Sequence, residues 1–321
     1  MKRLLLVAMC CLLGTIQLYA KILRVNNNNM TFPAYVNGQQ AHDDAQPGDT
    51  IYFESSSTAY PSFNVTKRLV IMGVGVFLNS YDGYQLPGLP EAAVSQINIG
   101  GEASHTVVAG LKANIAVDGA VSLRLFSNHG RIDLTGTANV LVYHSYITRL
   151  RVSRAYSVAI TNNIIVGNIE NDSSAEDIAI HHNTISGNIF AWNSDLTNNI
   201  IVQGSANLIT SNFANNVLSF SSYYKGGVEV TSDSFNNVLG VAMADIFMAT
   251  YLSDDRYYQL KPTSPARGAG LGGVDCGATG GADPYVFGAL QPPVPSIYRL
   301  DVPGVVSGNS MQVTIGTRVN K

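Results

Sequence analysis

The 321-residue sequence predicts an all-β fold, a parallel β-helix with three short strands per coil. A motif built on paired asparagines returns about every eighteen residues, the mark of a stacked repeat. The stretches between these pairs are short, β-branched and alternating, with no helical period. Asparagine is also concentrated there: 15 of the 28 in the chain lie between Asn162 and Asn237, more than an ordinary globular domain needs.

The chain opens with Met1-Lys2-Arg3, a mostly apolar run from Leu4 to Leu18, and Leu18-Tyr19-Ala20 before a plausible cut. Residues 1–20 therefore read as a secretory signal peptide, which places the protein outside the cytoplasm as a secreted or cell-envelope protein in the periplasm, on the outer surface or outside the cell. The run is shorter than the roughly 20 apolar residues that cross a bilayer, so no membrane span is expected in the mature chain. Losing Lys2 and Arg3 takes the cations from 19 to 17 against 22 acids. That balance offers no footprint for a phosphate backbone, and nucleic acid is excluded as a partner. Cys10 and Cys11 leave with the signal, so Cys276 has no internal partner for a disulfide and reads as a small buried hydrophobe.

After the signal, residues 33–46 read as a helix ending at Pro47-Gly48-Asp49, ahead of the strand Thr50-Ile51-Tyr52-Phe53-Glu54. A helix there covers the first coil, whose open edge would otherwise invite aggregation. Its His42-Asp43-Asp44 run is a poor metal site, because consecutive helical residues point in different directions.

The repeat itself follows. Thr161-Asn162-Asn163-Ile164-Ile165 returns at Asn183, Asn199, Asn216 and Asn237, the second asparagine advancing by 20, 16, 17 and 21 residues. A second register, Gly130-Arg131-Ile132, Leu150-Arg151-Val152, Gly167-Asn168-Ile169 and Gly187-Asn188-Ile189, advances by 20, 17 and 20. Coils about 4.8 Å apart would stack Ile165, Ile185, Ile201, Leu218 and Leu239 as an inward aliphatic ladder. Asparagine suits the corners because it tolerates the left-handed region, and its amide can bond along the column. Beyond the repeat, Tyr258 to Gly270 reads as a chain leaving the solenoid through tight turns. Gln291-Pro292-Pro293-Val294-Pro295 is a stiff linker, and Ile297–Val302 with Met311–Thr317, joined through Ser307-Gly308-Asn309, forms a C-terminal hairpin. The division is thus 1–20 signal, 21–290 solenoid with its cap, and 291–321 linker and hairpin, the hairpin either covering the solenoid or serving a partner.

The Ala45-Gln46-Pro47-Gly48-Asp49-Thr50-Ile51-Tyr52 run, Lys67 to Gly73, the Asn-Asn-Ile-Ile repeats, Tyr258 to Ala266 and Cys276-Gly277-Ala278 together resemble secreted right-handed parallel β-helix proteins of the pectin-lyase-like superfamily, such as those exported by Bacteroidetes. The resemblance covers residues 21–290. It implies the right-handed turn, which the general preference of parallel crossovers also favours. For function it implies a range: polysaccharide lyases, glycoside hydrolases, esterases, tailspikes and adhesins. The Asn-Thr-Asp, Gly-His-Gly and Arg-Ile-Lys motifs of the polygalacturonase-like branch are missing, and its Asp-Asp occurs only outside the repeats, so they offer no spaced carboxylate pair for hydrolysis.

Charge is distributed unevenly along the repeats. Residues 112–161 carry Lys112, Arg124, Arg131, Arg149, Arg151 and Arg154 against two acids, whereas residues 162–237 carry Lys225 against seven. The repeat puts Arg131 and Arg151 at equivalent positions on adjacent coils, where two guanidiniums repel unless an anion lies across them. With Tyr143, Tyr146, Arg149, Arg154, Tyr156 and Trp192, this describes a face for a polysaccharide or cell-surface glycan. The plain alternative is ion pairing with Asp133, Glu170 or Asp172 on a solvated surface. A polysaccharide lyase acting on a uronic-acid polymer would use Arg131 or Arg151 as base, with Glu170, Asp172, Glu176 and Asp177 near a Ca²⁺. Without that chemistry no cofactor is expected, and an adhesin or structural spacer is the third reading.

Overall fold

The computed structural model describes residues 20–28, 35–80, 90–232, 235–248, 254–288, 290–291, 295–302, 311 and 313–319. The expected signal at 1–20 therefore lies outside it but for Ala20, as do Pro33, Ala34 and the hairpin turn Ser307-Gly308-Asn309. No helix among the described residues is long and apolar enough to cross a membrane.

The chain winds as a parallel β-solenoid of about nine turns, set by the number of strands each sheet can stack. The first sheet stacks ten parallel strands, from Ile22–Val25 through Ala138–Tyr143, Tyr156–Thr161 and Glu176–His181 to Asn212–Ala214. The second sheet is 14-stranded and changes character midway. In the early coils one long strand, such as Lys112–Asp118, His129–Thr135 or Tyr146–Ser153, runs through the second corner. Two of the pairings absorb the bend by shifting register, between Val94 and Gln96 and between Ile147 and Arg149. From Ile164 onward the long strand divides. A second stripe holds Ile164–Ile165, Thr184–Ile185, Ile200–Ile201 and Val217–Leu218; a third holds Ile169–Asn171, Ile189–Trp192, Ala206–Ile209 and Tyr223–Lys225. Gly167 and Gly187 mark the divide, where a Cβ would come within 1.8 Å of the Thr148 carbonyl and 2.4 Å of the Gly167 carbonyl.

Inside, Ile147, Ile165, Ile185, Ile201 and Leu218 stack in register and are fully buried, each worth roughly 1.5–3 kcal/mol of apolar burial. Leu239 packs against this core only partly buried. The two asparagines of each pair do different work. The first residue, Asn162, His182, Asn198, Asn215 or Asn236, takes the left-handed conformation that turns the corner. The second faces inward and links coil to coil: the Oδ1 of Asn183, Asn199, Asn216 and Asn237 accepts both the backbone N–H and the side-chain N–H of the asparagine one coil earlier. Asn128 and Ser145 extend the column toward the N-terminus.

The N-terminal helix spans Gly38–Asp44, shorter than 33–46, with Asn37 accepting from Gln40 N–H at its start. It sits on the first coil, where Gly38 approaches Phe53 and Phe63 too closely for a Cβ. His42 is buried, its Nε2 taking the Thr66 N–H at 3.1 Å, while Asp43 faces solvent. At the other end, Tyr223–Lys225 folds back through Gly226 and Gly227 onto Val228–Val230 as an antiparallel pair. The C-terminal hairpin pairs Pro295–Asp301 with Thr314–Val319 in a separate two-stranded sheet.

The chain after Ile246 does not leave the solenoid as the sequence suggested. It doubles back as a strap over the second stripe, toward earlier coils. Cys276 Sγ lies 3.3 Å from Asn215 O; Gly277 N–H donates to Asn198 O and Ala278 N–H to Thr184 Oγ1; Asn162 holds the carbonyls of Ala278 and Gly280; and His144 Nε2 is 2.9 Å from Asp283 O. A second apolar cluster results outside the barrel of coils, with Ile164, Ile200 and Val217 buried against Tyr258, Leu260, Cys276, Ala278 and Tyr285. Burial and the neighbouring Asp275 push the Cys276 thiol up to about 12. In the native protein at pH 8 it should therefore resist iodoacetamide and label fully in denaturant; rapid native labelling would show that the strap lifts.

Candidate functional site

The outer face of the third stripe gathers most of the polar residues singled out from the sequence. Successive coils place Asn64, Asn98, Ala116, Asp133, Arg151, Glu170, Phe190, Asn207 and Tyr224 in one column. At about 4.8 Å per step the column runs for nearly 40 Å. Beside it lie Gly100, Asp118, Thr135 and Ser153, with Asp172 taking the Ser153 hydroxyl at 2.7 Å, then Trp192 opposite Ile209.

Three zones follow one another along this face. Nearest the N-terminus is an open depression of about 390 Å³ whose lining includes Asn64, Thr66, Asn98, Ala116, Asp118 and Asp133, with Gly100 and Ala116 keeping its floor low. Arginines occupy the middle. Arg131 Nε lies 2.8 Å from Asp133 Oδ2 and Arg149 reaches Glu170 Oε2 at 3.5 Å, while Arg151 is exposed between Asp133 and Glu170 of the neighbouring coils. Both Arg131 Nε and Arg149 Nε are buried without an aligned hydrogen bond, so the first contact is one of charge alone. Such partly exposed pairs are each worth about 1 kcal/mol or less. Aromatics make the third zone: Phe190 and Tyr224 are 45% and 44% exposed, and Trp192 is half-buried beside them.

The register corrects one expectation. Arg131 pairs with Arg149, and Arg151 pairs with Asp133. The bulge at Thr148 takes the offset between these strands from 17 to 18, whereas matching Arg131 to Arg151 assumed 20; Arg149 and Arg151 stand two apart on the same face, and the spacing of the repeat alone does not choose between them. The like-charged neighbours are thus Arg131 and Arg149.

Other candidates lie elsewhere. Tyr143 and Tyr156 are on the first sheet. Arg154 turns the next corner, exposed and left-handed, its N–H donating to Ser174 Oγ. Glu176 and Asp177 start a strand of the first sheet, Glu176 opposite Tyr156, while Glu170 and Asp172 stay with the third stripe. The four carboxylates are thus divided by a corner, and among the described residues no three His, Cys, Asp or Glu side chains converge to hold a metal ion. Burial raises Asp172, but hydrogen bonds from Ser174 and Ser153 outweigh it and hold the carboxyl below its usual range. The depression, and the place of Asp118 in its wall, carry no signal in the sequence, because the early coils lack the asparagine pairs that mark the repeat.

Tyr146 lies beside the strap, packed edge-on against Phe77 and His129. Burial, and secondarily Lys112, pull the His129 imidazole down to about 4 from 6.5, against the opposing effect of Glu91. Since the unfolded chain takes up this proton first, the contribution of His129 to stability is whole above pH 6.5 and drains away as the pH falls toward 4. His129→Gln should flatten the fall in melting temperature between pH 7 and 4.5; an unchanged slope would assign that fall to other groups.

No protein-family model matches the chain, and no curated protein sequence matches it. By its fold the protein is a parallel β-solenoid with a strap along one side.

Proposed function

We propose that this is a secreted, cell-envelope carbohydrate-binding protein that lays an extended polysaccharide along the outer face of the third stripe. The observation that carries the reading is the unbroken column from the 390 Å³ depression through the arginines to Phe190 and Tyr224. A polymer needs a long, shallow, uniform track, with aromatic surface for sugar rings and cations for acidic groups. The sequence resemblance to pectin-lyase-like β-helix proteins and the signal-like first twenty residues support the same reading. The test is binding of acidic and neutral polysaccharides to the wild type and to the double variant Arg131→Ala with Arg149→Ala. An acidic polymer should bind the variant about tenfold more weakly, a loss of roughly 1.4 kcal/mol. Equal affinity would remove the arginines from the site.

A second reading, a Ca²⁺-assisted lyase of a uronic-acid polymer, draws on the common face of Glu170, Asp172, Arg131, Arg149 and Arg151. An arginine that has given its own proton to solvent would take the C5 proton, the C4–C5 double bond would form as the C4–O glycosidic bond breaks and its oxygen is protonated, and a cation would neutralise the uronate carboxylate. Unsaturated-uronate absorbance during the same incubations separates a lyase from a binder.

A further inference from the structure

The C-terminal hairpin carries an apolar face that no other described part of the chain covers. Cross-strand partners share a face, and the register sets Ile297 opposite Thr317, Arg299 opposite Gly316, Leu300 opposite Ile315 and Asp301 opposite Thr314. Ile315 and Thr317 stand two apart, so Ile297 and Leu300 lie on one side although they are three apart. The register shift between Ile297 and Arg299 makes this possible, because the bulge takes up one extra residue. Alternation carries the same side on to Val302 and Val313. Arg299, Asp301 and Thr314 occupy the other side, where the Arg299 guanidinium lies 2.6 Å from Asp301 Oδ2.

Ile297, Leu300, Val302, Val313 and Ile315 are 39% to 57% exposed. A lone two-stranded hairpin is marginal in water and needs a packed face or further strands. Among the described residues no strand of the solenoid joins this sheet. The five side chains bear no polar group, so the surface that covers them must be apolar too. A second copy of the hairpin meets that demand. Laid face to face about a two-fold axis, with the two sheets about 10 Å apart, the pair buries the same patch twice and leaves Arg299 and Asp301 of both copies in solvent. With Met311, itself 49% exposed and nearby in the chain, this removes on the order of 1,000 Å² from water, the size at which an interface becomes specific.

We infer that the hairpin is a dimerisation module through which two copies of this chain associate, the face of Ile297, Leu300 and Ile315 packing against the same face of the second copy. An interface of this size without charged pairs gives a reversible dimer in the micromolar range. The inference stands apart from the polysaccharide reading, because the hairpin belongs to neither sheet of the solenoid.

Sedimentation velocity of the purified protein from about 1 to about 100 µM tests it, and the wild type should pass from monomer to dimer across that range. Leu300→Asp and Ile315→Asp each place a carboxylate in the shared face and should weaken the dimer at least tenfold while keeping the melting temperature of the solenoid. Ile315→Leu, which leaves the face apolar, should keep the dimer, and so should Thr314→Lys on the opposite side. Amide exchange in the wild-type hairpin, read without any substitution, should slow as the concentration rises, because the second copy supplies its packing. A wild type that stays monomeric, a dimer that survives Leu300→Asp and Ile315→Asp, equal weakening by Thr314→Lys as pairing through strand edges would give, or hairpin exchange that ignores concentration would overturn the inference.

Discussion

Replacing Asn183 with alanine should lower the stability of the protein by roughly 3–5 kcal/mol. The Asn183 amide donates to Ile160 O, His181 O and Asn199 Oδ1, and its Oδ1 accepts from the backbone and the side chain of Asn163. Alanine removes all five bonds at a site with no access to water. Each orphaned buried group costs about 1–3 kcal/mol, and the sum is reduced where groups share partners. Urea unfolding at constant slope measures the loss. Asn212→Ala is the control, since that exposed amide bonds only to Asp195, and its change should stay within about 0.5 kcal/mol. Matching midpoints for the two variants would mean that the asparagine column is decoration.

The second large effect belongs to the strap. Gly277 has φ of +86°, and a side chain there would meet Ile200 Cδ1 at 2.5 Å and Thr184 Oγ1 at 2.8 Å. Gly277→Val should therefore displace the strap from the second stripe while leaving the coils wound. Ile164, Ile200 and Val217 would be uncovered, so dye binding to apolar surface should rise several-fold and trypsin should cut at Arg267. Cys276 should become reactive at pH 8 in the same variant. A variant that stays dye-silent and protease-resistant would show that the strap accommodates the side chain.

The sequence made the solenoid legible because its repeat obeys hard constraints. One residue in each coil must turn left-handed and the next must satisfy buried backbone groups, and asparagine meets both demands. The strap was legible only in hindsight, through the Ile-Ile doublets. A two-residue strand points one side chain inward and the other outward. An outward Ile164 or Ile200 is therefore a sign that something covers that stripe, and the covering segment, poor in regular structure, has no periodicity of its own. The arginine register was not legible because Arg149 and Arg151 share one face two residues apart, and an irregular repeat of 16 to 21 residues does not choose between them. The depression carries no mark in the sequence because the early coils bend a single long strand and lack the asparagine pairs that set the register of the later ones.

A stack in which each coil touches only its neighbours ordinarily melts piecemeal from its ends. Here the asparagine bonds join residues 16 to 21 positions apart, but the strap joins Asn162 to Gly280 and His144 to Asp283, separations of 118 and 139. Such distant closures are slow to form, and they arrive last in a chain made from its N-terminus. The coils would thus exist for a time as a loosely coupled array, with the Ile164 stripe bare, and become a single cooperative unit only when residues near 280 fasten across them. Whatever accompanies the chain during its synthesis meets that bare stripe, a surface the finished molecule no longer has.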